Sequence, residues 1–178
     1  MNTIECINSR RSVRKFTEQE ITKETLEKIV AAAAMAPSWK NTQITRYTVI
    51  LDKELKGKIA EQATIPFNAN TINSAPALVA VNVVKKRCGY ERDGSFSTTK
   101  EDSWQMFDAG VASQTFCLAA HEYGVSSVIM GILDYEKVAE MIELPEDREM
   151  VALIAIGYPA ESPEAPKRKS VEDLLTIK

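Results

Sequence analysis

The sequence predicts a domain in which helices and strands mix without strict βαβ alternation, an α+β domain or a mixed-sheet α/β one. Three observations predict it. Ala77 to Val84 is a near-continuous apolar run, as a strand covered on both faces requires. Thr45 to Leu51 is rich in β-branched residues, the composition of another strand. Ser103 to about Tyr123 carries Met106, Phe107, Val111, Phe116, Cys117, Leu118 and Ala119 on more than one face. A helix apolar on several sides is central to its fold or shared with a partner chain.

In chain order, residues 2–9 predict a short helix with Ile4 and Ile7 inward. Thr22 is an N-cap, with Glu24 in the first turn where carboxylates suit the helix dipole. The helix from Lys23 to about Met35 carries Leu26, Ile29, Val30 and Ala33 at helical spacing, and Pro37 stops it. Pro37 to Gln43 is a polar loop with one exposed-looking tryptophan, Trp39. Asp52 caps a short helix through Ile59 and Ala63. Pro66 opens another from Phe67 to Ser74, and Ala75-Pro76 breaks it. Lys85 to Asp102 is a long polar excursion, longer than a typical connection and so a candidate functional or lid segment. Ser103 caps the long helix, and Gly124 closes it in the left-handed position. Val125 to Met130 is a buried strand ending at Gly131. Asp134 caps a helix from Tyr135 to Ile142, and Met150 to Gly157 is the last strand. The tail carries Pro159, Pro163 and Pro166, and has no regular element before Val171.

Bulk properties narrow the function. A chain of 178 residues suits one domain, 1–178, with a full core. Net charge −3 argues against a dedicated nucleic-acid binder, so any basic patch is local and sized for a small anion. No signal peptide and no spanning apolar run are visible. The three cysteines, Cys6, Cys88 and Cys117, lack metal-ligand spacing, and with the one histidine, His121, they predict no metal site. Reduced thiols in a cytoplasmic protein are the expectation. Cys117 and His121 share a helix face, where a core thiol and a helix-end histidine explain them better than a catalytic pair does. No GxGxxG, Walker or GxSxG motif occurs.

Two basic clusters remain, Arg10-Arg11-Ser12-Val13-Arg14-Lys15 and Lys167-Arg168-Lys169. Taken alone the first is a solvated surface run or a phosphate clamp, since arginine forks match phosphate oxygens. If the sheet brings the termini together, the two clusters meet around one phosphate. Together with the polar 37–43 loop and the glycine-ended strand, this pattern suits a protein that holds a phosphorylated cofactor and leaves the chemistry to it.

Five segments, in order along nearly the whole chain, resemble the nitroreductase family of flavoproteins. They are Arg10 to Phe16, Ala36 to Gln43, Asp108-Ala109-Gly110-Val111-Ala112, Gly124-Val125 with Met130-Gly131, and Gly157-Tyr158-Pro159 with Lys167-Arg168-Lys169 and Glu172-Asp173. The resemblance implies an α+β fold with a central mixed, mainly antiparallel sheet flanked by helices, built as an intertwined homodimer with FMN sites at the interface. It implies that Arg10, Arg11 and Ser12 hold the phosphate with Arg168 or Lys169, and that Arg14 lies near the pyrimidine side of the ring. Pro37, Ser38, Trp39 and Asn41 would arrive from the other subunit. Asn68 would contact the ring's polar edge, and the backbone of Met130-Gly131 would face N5 and O4. Many members have an acidic residue where this chain has Met130, so only backbone contact is implied there. Trp39 replaces a small residue, and either narrows the pocket or anchors the dimer seam. The implied activity is FMN-dependent NAD(P)H oxidoreduction of a small nitroaromatic or quinone acceptor by a ping-pong mechanism. Flavin N5, and no protein side chain, would carry the chemistry. The alternatives are a flavin-binding or sensing protein with little turnover, and a same-fold dehalogenase, enoate reductase or flavin-fragmenting enzyme.

Overall fold

The computed structural model describes residues 1–178. Helix α1 (Thr3–Ser9) opens on a capping box between Asn2 and Glu5. Thr22 caps α2 (Lys23–Ala33) by accepting from Thr25 N. Strand β1 (Thr45–Ile50) follows a single 3₁₀ turn, Trp39–Asn41. Asp52 caps α3 (Lys53–Ala63), and Pro66 takes the first position of α4 (Pro66–Ser74). Then come β2 (Ala77–Val84), α5 (Ser103–Glu122), β3 (Ser126–Met130), α6 (Tyr135–Met141), β4 (Arg148–Gly157) and α7 (Val171–Leu174). Gly124, with φ +75°, takes the left-handed position just past α5.

The four strands form one sheet in the order β1-β2-β4-β3. Every ladder in it is antiparallel, so the expected mixed sheet is corrected for this chain. The reason lies in the connections. The α3–α4 helical hairpin returns the chain to the end of the sheet it left, and β2 runs back along β1. The only parallel pairing is an isolated bridge between Ser12 and Ser127.

The period of two in the strands divides the core. Leu78, Ala80, Leu153 and Ala155 face one layer with Ile59, Ala60, Ile72 and Val138. Ala77, Val79, Val81, Ile154 and Ile156 face the other with Ile29, Phe116 and Ala120. The sheet thus lies between α3, α4 and α6 on one side and α2 and α5 on the other.

Two local expectations fail. Ile4 and Ile7 are exposed, and Cys6 is the residue α1 buries, its Sγ donating to Leu118 O at 3.4 Å. On so short a helix one inward residue suffices to seat it on α5. Ser103 does not cap α5. Asp102 holds the N-cap position in a helical conformation, and its side chain makes no capping bond.

Candidate functional site

Segment 10–17 leaves α1 in extended form and wedges between β3 and the tail. Val13 N donates to Ser127 O at 3.2 Å, Thr17 N to Tyr158 O at 2.9 Å, and Ala160 N to Lys15 O at 2.9 Å. Val13 and Phe16 turn inward and are buried. Their burial pins the intervening Arg14 and Lys15 outward. The apolar residues of the motif therefore aim its cations.

The tail then runs back along this segment. Arg10, Arg11, Ser12 and Arg14 share a cleft of about 270 Å³ with Pro163, Glu164, Pro166 and Arg168. The two basic clusters do meet, as the sequence required for a shared anion. Lys169 does not line the cleft. The chain's ion pairs involve neither Arg10, Arg11, Arg14 nor Arg168. Arg11 is steadied by the backbone just before it, Nη1 donating to Asn8 O at 2.7 Å and Arg10 O at 2.9 Å. Burial, and next the Arg10 charge, hold His121 below its ordinary pKa. His121 Nε2 lies 2.8 Å from Ser9 Oγ, so it is a helix-end histidine and has no bond to Cys117.

Arg14 joins this cleft to a larger one of about 690 Å³, lined also by Lys15, Phe67, Asn70, Thr71, Ser74, Glu161, Ser162 and Pro163. Its backbone is held from both sides: Arg14 N donates to Glu161 Oε1 at 2.8 Å, and Ser74 Oγ to Arg14 O at 3.1 Å.

Asn68 is buried, and its Nδ2 donates to Ile132 O at 3.1 Å. The side chain therefore fixes the turn that follows β3. In that turn Gly131 O accepts from Tyr135 Oη at 2.6 Å. Met130 is buried at the strand end and Gly131 is exposed, an arrangement that offers backbone and no side chain.

Pro37, Ser38 and Asn41 line a different cleft, of about 550 Å³, with Gln43, Arg46, Arg87 and Asp108. No residue of the arginine cleft lines it, so within one chain the structure does not bring the 37–43 loop to the basic clusters. The loop is strained: Lys40, Asn41 and Gln43 have φ of 44°, 56° and 49°, a region costly for residues other than glycine. It is held by Asp108, whose Oδ1 and Oδ2 accept from Trp39 N at 3.0 and 2.9 Å. Trp39 is half-buried, its ring centroid 4.5 Å from that of Trp104.

Sequence reasoning missed Phe67, Glu161, Tyr135 and the role of Asp108. For Asp108 a signal existed, a carboxylate in the middle of a helix whose only other acid is Glu122 at its end. For the others none did: Phe67 and Glu161 meet Arg14 from far along the chain, and nothing in the residue type marks Tyr135 as the partner of Gly131 O.

The profile of the nitroreductase family matches residues 7–158. A relative from Methanothermobacter thermautotrophicus, provisionally named NADH dehydrogenase/NAD(P)H nitroreductase, is 30% identical over 167 residues, spanning 92% of this chain and 80% of its own. FMN reductase [NAD(P)H] from Bacillus subtilis is 28% identical over 167 residues, spanning 89% and 66%. A crystal structure from Exiguobacterium sibiricum, of a provisionally assigned nitroreductase in complex with FMN, superposes with a TM-score of 0.85 at 23% identity, covering 100% of this chain and 98% of that one. By profile, by relatives and by fold, this chain belongs to the nitroreductase family.

Proposed function

We propose that this chain is an FMN-dependent oxidoreductase that takes electrons from NAD(P)H and passes them to a small organic acceptor of nitroaromatic or quinone type. One observation carries the reading: guanidinium groups from both ends of the chain line one cleft without an acidic ion-pair partner, and at Arg14 that cleft adjoins a larger one. The donor set fits FMN. A phosphate needs cationic forks and a short hydroxyl, which Arg10, Arg11, Arg168 and Ser12 supply, each charged hydrogen bond contributing roughly 1.5–3 kcal/mol. A flat polar ring needs room and a cation at its edge, which the larger cleft and Arg14 supply.

FMN, when bound, carries electrons between donor and acceptor in two half-reactions through one pocket. The chain's own part is orientation and electrostatics. Arg14 sets a fixed positive charge at the ring's pyrimidine side. Asn68 holds the turn at Met130-Gly131, whose backbone is offered toward N5 and O4. Pro37, Ser38, Trp39 and Asn41 belong to a homodimer's second subunit, which explains why in one chain Pro37, Ser38 and Asn41 line another cleft. Exposed Met106 and Phe107 on α5 and Ile129 and Ile132 near the β3 end fit burial in such an interface. The whole of 1–178 acts as one domain, and three free buried thiols suit a reducing, cytoplasmic setting. No helix is long and apolar enough to cross a membrane.

The visible spectrum of the purified protein tests the proposal. Flavin absorption that bleaches anaerobically with NADH or NADPH and returns on adding a quinone is the expected result. A colourless protein that takes up no added FMN would overturn it, and a yellow one that neither nucleotide reduces would leave a binding protein without turnover.

A further inference from the structure

We infer that Asp108 is the positioning residue of the 37–43 loop, and that the Lys85–Asp102 excursion is the buttress that keeps this loop seated for flavin. The inference rests on the reading that the loop faces FMN in the assembled protein.

Asp108 is buried within α5, 2% exposed, and has no cationic partner. Its donors are Trp39 N, on both oxygens, and Cys88 Sγ at 3.1 Å. A buried carboxylate without a counter-ion persists only where hydrogen bonds hold it, and both of its donors come from these two segments. One segment is the strained loop. The other is the start of the excursion, anchored by Cys88, which is fully buried against Ile44, Val83 and Ala109.

The excursion meets the loop directly at one further point and, through Trp104 of α5, braces it at a second. Lys40 Nζ pairs with Glu91 Oε1 at 2.7 Å. The Trp39 ring packs on Trp104, whose Nε1 donates to Thr98 Oγ1 at 2.9 Å. Three left-handed residues cannot keep their conformation unaided. The bonds at Trp39 N and the contacts on either side of it hold Ser38 and Asn41 in place. The excursion is therefore no mobile cover over the pocket. Asp108 touches no reacting atom and acts through the loop.

The experiment compares wild type with Asp108→Asn. Trp39 and Trp104 are the only tryptophans, so emission and near-ultraviolet circular dichroism of the flavin-free protein report directly on the seat. Asp108→Asn is expected to shift both signals and to raise the Kd for FMN about tenfold, leaving two donors facing one acceptor. The Kd for riboflavin should rise by the same factor, because the loop covers the ring and not the phosphate. Folded Asp108→Asn with wild-type Kd values overturns the inference, as does a loss confined to FMN. Glu91→Gln and Thr98→Val loosen the buttress from the surface and test it even if Asp108→Asn does not fold. Each is expected to raise both Kd values two- to threefold, roughly the value of an exposed contact, and unchanged values count against the buttress. Wild-type protein that binds no flavin would instead overturn the cofactor reading on which the inference stands.

Discussion

Arg14 lies over the ring of Phe67, its guanidinium carbon 5.5 Å from the ring centroid. The pair links the N-terminal basic segment to α4 and holds a cation at the junction of two clefts. Arginine lies flat on an aromatic face without giving up its in-plane donors, so it can be packed by Phe67 and still bind an anion at its rim.

Arg14→Ala should therefore weaken FMN binding by roughly ten- to hundredfold, the value of one charged hydrogen bond, and slow flavin reduction. Arg14→Lys should recover only part of this, since an ammonium neither stacks nor forks. Quenching titrations and anaerobic stopped-flow would measure both. Unchanged retention and unchanged reduction in Arg14→Ala would contradict its placement at the ring.

The structure separates two neighbours that the sequence left together. Arg168 lines the small cleft and Lys169 does not. Arg168→Ala should cut the preference for FMN over riboflavin by about tenfold or more, whereas Lys169→Ala should change it less than twofold. Equal losses would mean that the tail binds phosphate as a diffuse charge and not through one fork.

Alkaline stability should be limited by two acids shielded from water, the buried Cys88 and the half-buried Tyr47. Burial, with help from Asp108, pushes the Cys88 thiol from 9.0 up to about 12. Burial likewise raises Tyr47 from 10.0 to about 12. Folding favours the protonated form of each. That contribution is complete below about pH 9 and is lost as the pH rises toward 12, because the unfolded chain releases these protons first. The urea midpoint should fall steadily above about pH 9, and Cys88 should resist alkylation until the chain unfolds. A flat midpoint through pH 10, or rapid native alkylation at Cys88, would contradict this.

Gly157 ends β4 beneath the N-terminal clasp. A Cβ there would lie 2.6 Å from Pro76 Cδ and 2.9 Å from Phe16 Cδ1. Gly157→Ala should cost about 1–3 kcal/mol by overpacking. It should also loosen flavin, because Phe16 pins the segment that carries Arg14. Urea denaturation and a flavin titration on the same variant would show both effects or refute their coupling.

Most of the helices were legible because their caps are local: Thr22, Asp52, Pro66 and Asp134 each mark a start that the structure keeps. The strands were legible from apolar runs, with Val125 and Arg148 marking small shifts at their ends. Strand direction was not legible, because it depends on where two packed helices deliver the chain. The inward face of α1 was misread because spacing cannot rank Ile4 and Ile7 against Cys6, whose seat is made by the distant Leu118. In the site, the arginines announced themselves by charge. Phe67, Glu161 and Tyr135 did not, being ordinary residues whose importance comes only from what folding sets beside them.

The fastening of Lys15 and Thr17 to Ala160 and Tyr158 bears on when the site comes into being. These contacts join nearly opposite ends of the chain, and closing so long a loop costs entropy before any contact repays it. The anion seat should be assembled late, after the sheet and both helical layers have formed. Pulsed hydrogen exchange during refolding should find the Thr17 and Ala160 amides protected after those of β2 and β4. A ligand bridging Arg10 and Arg168 would then act as a latch, holding closed the one junction that the chain completes last.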